Sequence, residues 1–213
     1  EQACKSMGIQ PIPLLAVDID GLALKIHKAN HGTQKILNDS VSSLIDFKVI
    51  DVDGQSKFAY APELIGNMVQ GMRGKVDVII AGPPCQGYST LNNHSRGDDP
   101  RNLLYLTVPA IAIALGAKHL IIENVPNVVN SKESVVKKAL DLLIGNGYKV
   151  TSGVLHADKL GWPQTRKRFF IVASIDNAPI PLETVKVQYQ RKALPVTWAI
   201  SNFEVAREGK NHL

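Results

Sequence analysis

The sequence predicts an α/β fold, with a mostly parallel sheet and helices on both faces. Three observations carry this. Short apolar runs stop abruptly at an acid or at Gly-Pro, segments with helical periodicity lie between them, and the two kinds alternate from about residue 14 to residue 174.

The first run, Leu14-Leu15-Ala16-Val17, ends in Asp18 and reads as a buried strand with an acid at its tip. Gly21 to Asn30 comes next as a helix, with Leu22, Ile26 and Ala29 on one expected apolar face. A second strand ends near Asp39. Val76 to Ile80 is a strand halted by Gly82-Pro83-Pro84. From Leu103 to Leu115 the spacing of Leu104, Val108, Ile111 and Leu115 marks a helix. Leu120-Ile121-Ile122 is another buried strand, ending in Glu123. Val135, Val136, Ala139, Leu140 and Leu143 mark a helix closed by Gly145-Asn146-Gly147. Val150 to Leu155 and Phe169 to Ser174 complete the strands. Asn177 to Pro195 holds three prolines and no clear periodicity, so residues 1–176 read as the main domain and 177–213 begin as a linker leaving it. In sheets of this kind ligands bind beyond the carboxyl ends of the strands, where Asp18, Asp39, Cys85 and Glu123 all fall.

Composition narrows the function only mildly. The 213 residues carry 24 Lys and Arg against 19 Asp and Glu, a formal charge of +5, which leans slightly toward a polyanionic partner. Two cysteines, Cys4 and Cys85, cannot make a disulfide framework and fit a reducing compartment. No His or Cys spacing resembles a metal site, so no metal is expected. No apolar run could span a bilayer, and Glu1 to Ser6 show no secretory or transit pattern.

Three segments carry chemistry. In Ala81-Gly82-Pro83-Pro84-Cys85-Gln86-Gly87-Tyr88-Ser89, two prolines stiffen the backbone before a thiol at the end of a strand, which suits a nucleophile. An isolated cysteine is more often a buried packing residue; the Pro-Pro-Cys-Gln context argues otherwise. In Glu123-Asn124-Val125-Pro126 a partly buried carboxyl comes directly after a strand and suits proton donation, although a lone acid there is more often solvated. In Pro163-Gln164-Thr165-Arg166-Lys167-Arg168, alternation puts Arg166 and Arg168 on one face of an extended segment, where two guanidiniums suit a carboxylate, a phosphate or a base edge. The alternative is an ordinary solvated basic run.

Together, Pro-Pro-Cys-Gln-Gly-Tyr-Ser, Glu-Asn-Val and Gln-x-Arg-x-Arg, in this order, resemble the DNA cytosine-5 methyltransferases, and the likeness runs from about Glu1 to Ile200. The resemblance implies a Rossmann-like methyltransferase fold that uses S-adenosylmethionine and yields S-adenosylhomocysteine. It makes Cys85 the nucleophile toward cytosine C6, Glu123 the acid that holds N3 and the exocyclic amine, and Arg168, with Arg166, the contact to the base carbonyl. It implies cofactor contacts at Asp18, Ile19, Asp39, Ser40, Pro84 and Leu104. It implies DNA contacts at Gln86, Ser89, Arg96 and Arg101, on double-stranded DNA whose target cytosine is flipped out of the stack. The place of action is then intracellular: cytoplasm or nucleoid in a bacterium, nucleus in a eukaryote. A restriction–modification system is one setting.

The sequence also departs from that family. The Gly-rich loop expected after a first strand would lie just before Glu1, and the target-recognition region would come after Ile200, so that 177–213 hold the linker and the start of that region. The expected reading is a fold incomplete at both ends: a fragment, or one part of an enzyme completed by a second polypeptide, inactive on its own. The alternatives are an RNA (tRNA) cytosine-5 methyltransferase and a non-catalytic DNA-binding or interaction module of the same fold.

Overall fold

The structure, a computed structural model, describes residues 2–84, 100–131 and 134–201. A short helix, α1 (Gln2–Ser6), precedes β1 (Leu15–Asp18), α2 (Gly21–His31) and β2 (Lys35–Asn38). A 3-10 turn at Val41–Leu44 leads into four short strands, β3 (Ile45–Asp46), β4 (Val49–Val52), β5 (Gln55–Phe58) and β6 (Glu63–Leu64). Then come α3 (Asn67–Gln70), β7 (Val78–Ala81), α4 (Pro100–Leu115) and β8 (His119–Asn124). A 3-10 turn at Pro126–Asn130 leads to α5 (Val135–Gly145), β9 (Lys149–His156), β10 (Lys167–Ser174) and α6 (Leu182–Gln188).

The molecule is α/β as predicted, but its main sheet is mixed where a mostly parallel one is expected from the sequence. Its main sheet has the order β7-β8-β10-β9. β7 and β8 are parallel, and β10 runs antiparallel to both of its neighbours, so β7, β8 and β9 share one direction and β10 alone opposes them. The reversal has a covalent cause. Only residues 157–166 connect β9 to β10, too few for the crossover that a parallel neighbour would need. The carboxyl ends of β7, β8 and β9 and the amino end of β10 therefore meet at one edge.

One face of this sheet carries the core. Leu120 and Ile122 of β8, with Phe169, Ile171 and Ala173 of β10, pack on Tyr105 and Val108 of α4 and on Val135, Ala139, Leu142 and Leu143 of α5. Each fully buried aliphatic side chain of this kind contributes about 1.5–3 kcal/mol. Helix α4 is buried on more than the one face read from periodicity. Its Ala110, Ile111, Ala114 and Leu115 form a second cluster with Leu44, Ile45, Leu64 and Val69, against which Val17 of β1, Leu37 of β2 and Ile79 of β7 also pack. β1 and β2 pair in parallel, Leu15 with Lys35 through Asp18 with Asn38, as a sheet of their own. They join the main sheet through α4 rather than through a hydrogen-bonded ladder.

Two local expectations are corrected. Helix α2 forms where predicted, capped by Asp20, whose carboxylate accepts from the Leu22 and Ala23 N–H groups, and closed by Gly32 in the left-handed conformation. Its buried residue is Leu24, however, while Leu22 and Ile26 are exposed. The helix meets β1 and β2 on a different side from its apparent apolar stripe. The segment 177–195 is not featureless either. Leu182 is buried, its backbone N–H donates to Thr151 Oγ1 at 3.2 Å, and α6 docks on β9. A seven-residue helix gains its stability from that docking rather than from its own periodicity, which is why the pattern is silent there.

Candidate active site

The site grows from the register of β8 and β10. Phe170 lies opposite Glu123, so Arg168, two residues earlier on β10, projects from the same face as Glu123. Arg168 Nε forms an ion pair with Glu123 Oε1 at 2.7 Å, and Arg166 Nη2 lies 3.5 Å from the same oxygen. The Arg168 side chain is 25% exposed and that of Arg166 is 49%. Arg168 is steadied further by Nη1 donating to the Lys167 carbonyl at 2.8 Å. The paired guanidiniums thus converge on the strand-end carboxylate. Glu123 Oε2 makes no hydrogen bond among the described residues and faces Gly82, where an added Cβ would stand 3.7 Å away. This carboxylate is held as an acceptor with one oxygen left available.

The next residue, Asn124, points the opposite way, into the core side of the sheet, and is 3% exposed. Its Nδ2 donates to the Pro83 carbonyl at 3.0 Å and its Oδ1 accepts from the Val125 N–H at 2.8 Å. The Pro-Pro segment that leads to the candidate nucleophile is thereby fastened beside Glu123. Cys85 itself, with Gln86, Ser89 and Arg96, lies outside the described residues. Arg101 falls in the first turn of α4. Sequence reading singles out Glu123, Arg166 and Arg168, and it passes over the two bonds of Asn124. The signal is only an amide next to an acid at a strand end.

The other candidates gather at the carboxyl ends of β1 and β2. Asp18 is the last residue of β1; its Oδ1 accepts from the Asp20 N–H at 2.8 Å, and the carboxylate is otherwise exposed. Ile19, next along, is 78% exposed. Asn38, paired with Asp18 across the strands, donates through Nδ2 to the carbonyls of Asp18 (3.1 Å) and Ile19 (2.8 Å) and pins the turn. Asp39 is exposed and accepts from the Ser40 N–H at 2.6 Å. The Ser40 hydroxyl caps the 3-10 turn through Ser42, so it is partly committed to local structure. Pro84 is exposed just past β7, and Leu104 is half-buried on α4. Among the described residues no group of three or more His, Cys, Asp or Glu gathers in a metal-binding arrangement, and no helix is long and apolar enough to cross a membrane.

Comparison with known proteins identifies the family. A family model described as C-5 cytosine-specific DNA methylase matches residues 7–207. The Type II methyltransferase M1.BsuMI of Bacillus subtilis (strain 168) is 34% identical over 202 residues, covering 94% of this chain and 45% of that protein. DNA (cytosine-5)-methyltransferase 1 of Mus musculus is 33% identical over 131 residues, covering 59% of this chain and 8% of that protein. The solved structure of the S. pombe Dnmt2 methyltransferase superposes with a TM-score of 0.60 at 19% identity, over 88% of this chain and 50% of that one, which bears on the fold alone. This chain therefore spans less than half the length of the curated relatives named here. With the family model covering nearly all of it, the chain belongs to the C-5 cytosine-specific DNA methylase family.

Proposed function

We propose that the protein transfers a methyl group from S-adenosylmethionine to C5 of cytosine in double-stranded DNA, with Cys85 as the nucleophile. The observation that carries this reading is the Glu123 carboxylate. It stands at the carboxyl end of β8, partly exposed, one oxygen paired with Arg168, the other without a hydrogen bond among the described residues, next to the tethered Pro83.

The chemistry starts from what cytosine lacks. Its C5 is a weak nucleophile until C6 is attacked. The Cys85 thiolate forms a bond to C6, and the C5–C6 π pair becomes available at C5. Glu123 holds N3 and the exocyclic amine while this happens, and Arg168 holds the base carbonyl, so charge shifting through the ring meets fixed partners. Once C5 carries the methyl group, a base accepts the C5 proton, its bonding pair restores the C5–C6 double bond, and the sulfur departs from C6 as thiolate with the C–S pair. S-adenosylmethionine, when bound, supplies the electrophilic methyl group and leaves as S-adenosylhomocysteine. The residues present suit it: the exposed Asp18 carboxylate fits a ribose diol, Ile19 offers apolar surface to a purine, and Asp39 can accept from its edge. Because C6 is shielded in stacked DNA, the target base must swing out, at a cost of about a few kcal/mol. DNA as substrate puts the protein inside the cell, and the likeness to a Type II methyltransferase supports a place beside a restriction enzyme. Val78 and Ile80 of β7, on the face away from α4, are 49% and 76% exposed, which supports a further segment or second polypeptide packing there in the working enzyme.

The test is a covalent trap. With S-adenosylmethionine and a duplex carrying 5-fluorocytosine, the natively assembled protein should form an adduct that survives denaturation and is lost in Cys85→Ser. An adduct with RNA and none with DNA would transfer the activity to RNA. No adduct with either would leave a binding module.

A further inference from the structure

We infer that Asn124 is a positioning residue, whose side chain replaces a missing rung of the β7–β8 ladder and so sets the relation between the Pro83-Pro84 backbone and Glu123. The inference rests on the functional reading above and adds a residue to it.

The need for such a residue arises from the prolines. The parallel ladder of β7 and β8 pairs Val78 with His119 through Ala81 with Ile122 and ends there. Beyond it, Pro83 and Pro84 have no N–H to donate, so the strand cannot be extended by backbone hydrogen bonds from these two residues. Their carbonyls remain as acceptors, and Asn124 Nδ2 donates to that of Pro83 at 3.0 Å. The bond is made by a side chain 3% exposed, on the shielded side of the sheet, where water competes poorly. The orientation of the amide is fixed by its two partners: Pro83 O can only accept and the Val125 N–H can only donate, so Nδ2 must face the first and Oδ1 the second. Because proline locks φ, the anchored carbonyl lies on a stiff stretch of chain that continues into Pro84, the residue before Cys85 in the sequence. Asn124 and Glu123 are neighbours on one strand with opposite directions, so one holds the Pro83 carbonyl on the core side while the other lies on the side of Arg168.

The measurement uses the two cysteines as probe and reference. Alkylation by iodoacetamide is monitored separately at Cys85 and Cys4 as a function of pH, without DNA, in wild type, Asn124→Ala and Asn124→Asp. Asp keeps the acceptor for Val125 and loses the donor for Pro83. Both variants should change the Cys85 rate or move the midpoint of its pH profile, with Cys4 unchanged, and should lower kcat about tenfold or more with little change in KM for DNA. A Cys85 profile that overlays wild type in a folded variant would overturn the inference. If neither variant folds, the wild type decides by NMR. A slowly exchanging Asn124 side-chain amide is expected, and exchange as fast as that of exposed side-chain amides would remove the anchor. Failure of the 5-fluorocytosine trap would count against the methyltransferase reading and leave these substrate-free measurements intact.

Discussion

Arg168 Nε sits 2.7 Å from Glu123 Oε1, across a diagonal of the antiparallel β8–β10 pair, while Arg166 reaches the same oxygen only at 3.5 Å. The two arginines alternate on one extended segment, yet they are not equivalent. Arg168 lies inside β10, three-quarters covered and bonded also to the Lys167 carbonyl, whereas Arg166 precedes the strand and is half in solvent.

That difference predicts an order of effects on methyl transfer. Arg168→Ala should lower kcat by about 10²-fold or more, because it removes the donor that orients Glu123. Arg168→Lys should recover little, since an ammonium cannot reproduce the geometry of the guanidinium. Arg166→Ala should cost roughly tenfold at most, as expected for a half-exposed partner. Steady-state kinetics on a methylatable duplex would check the order, and equal losses at the two positions would contradict it.

Gly21 predicts a coupling at the proposed cofactor turn. A Cβ there would stand 2.8 Å from Asn38 Oδ1, closer than real side chains approach. Gly21→Ala should therefore force Asn38 off the Asp18 and Ile19 carbonyls, weakening S-adenosylmethionine binding and costing roughly 1–2 kcal/mol of stability. In an Asn38→Ala background the same change should be nearly neutral, apart from a small gain in helix propensity. Calorimetric titration and thermal melts of the double-mutant cycle would reveal the coupling, and strictly additive effects would argue against it.

Tyr148 predicts an alkaline limit on stability. It is buried, and its one hydroxyl proton goes to the Ala117 carbonyl just past α4, with the Ala112 carbonyl 3.3 Å away. Tyr148→Phe should cost about 1–2 kcal/mol by taking the donor from the Ala117 carbonyl, since the Ala112 carbonyl still accepts from the Ala117 N–H. Burial raises the pKa of the phenol above its ordinary value of 10.0. A raised folded pKa means that the contribution is complete below the unfolded value and is lost as pH climbs through the folded one. Urea melts between neutral pH and strongly alkaline pH should show wild type losing this increment and the Phe variant lacking it throughout.

Asp141 predicts the opposite dependence. Its carboxylate accepts from the buried Ser56 N–H at 3.0 Å and pairs with Lys137 at 2.7 Å, tying the β4–β5 hairpin to α5. Burial, the largest influence, pushes its pKa up, but the hydrogen bonds from Lys137 and Ser56 together with the Lys137 charge outweigh it and hold the group below the ordinary 3.8. With a lowered folded pKa the contribution is present above the unfolded value and fades as pH falls through the folded one. Asp141→Ala should cost about 1–2 kcal/mol at neutral pH and leave a flatter acid limb in chemical denaturation.

The legible part of this protein is local. The strands ending at Asp18, Ala81 and Asn124 are visible as short apolar runs, although β1 is only partly buried and β7 exposes Val78 and Ile80, and α5 is visible because it buries one stripe. The acid and the two arginines are visible because their residue types, spacing and order match a family pattern. Less legible are α2, whose Leu22 and Ile26 form a stripe that faces solvent, and α6, which exists by docking on β9. Hydropathy cannot tell which side of a helix will find a partner when that partner is remote in sequence.

Residue order was enough to establish that strands and helices alternate and where most of them stop, and to single out a carboxyl, two guanidiniums and a thiol as candidates. Folding in three dimensions was needed to bring Glu123 closer to Arg168 than to Arg166, and to turn Asn124 inward to hold Pro83. Both depend on the registers of β8 with β10 and of β7 with β8. A register is a relation between distant segments, fixed by how their side chains pack together, and a shift of one residue would turn every one of them to the other face.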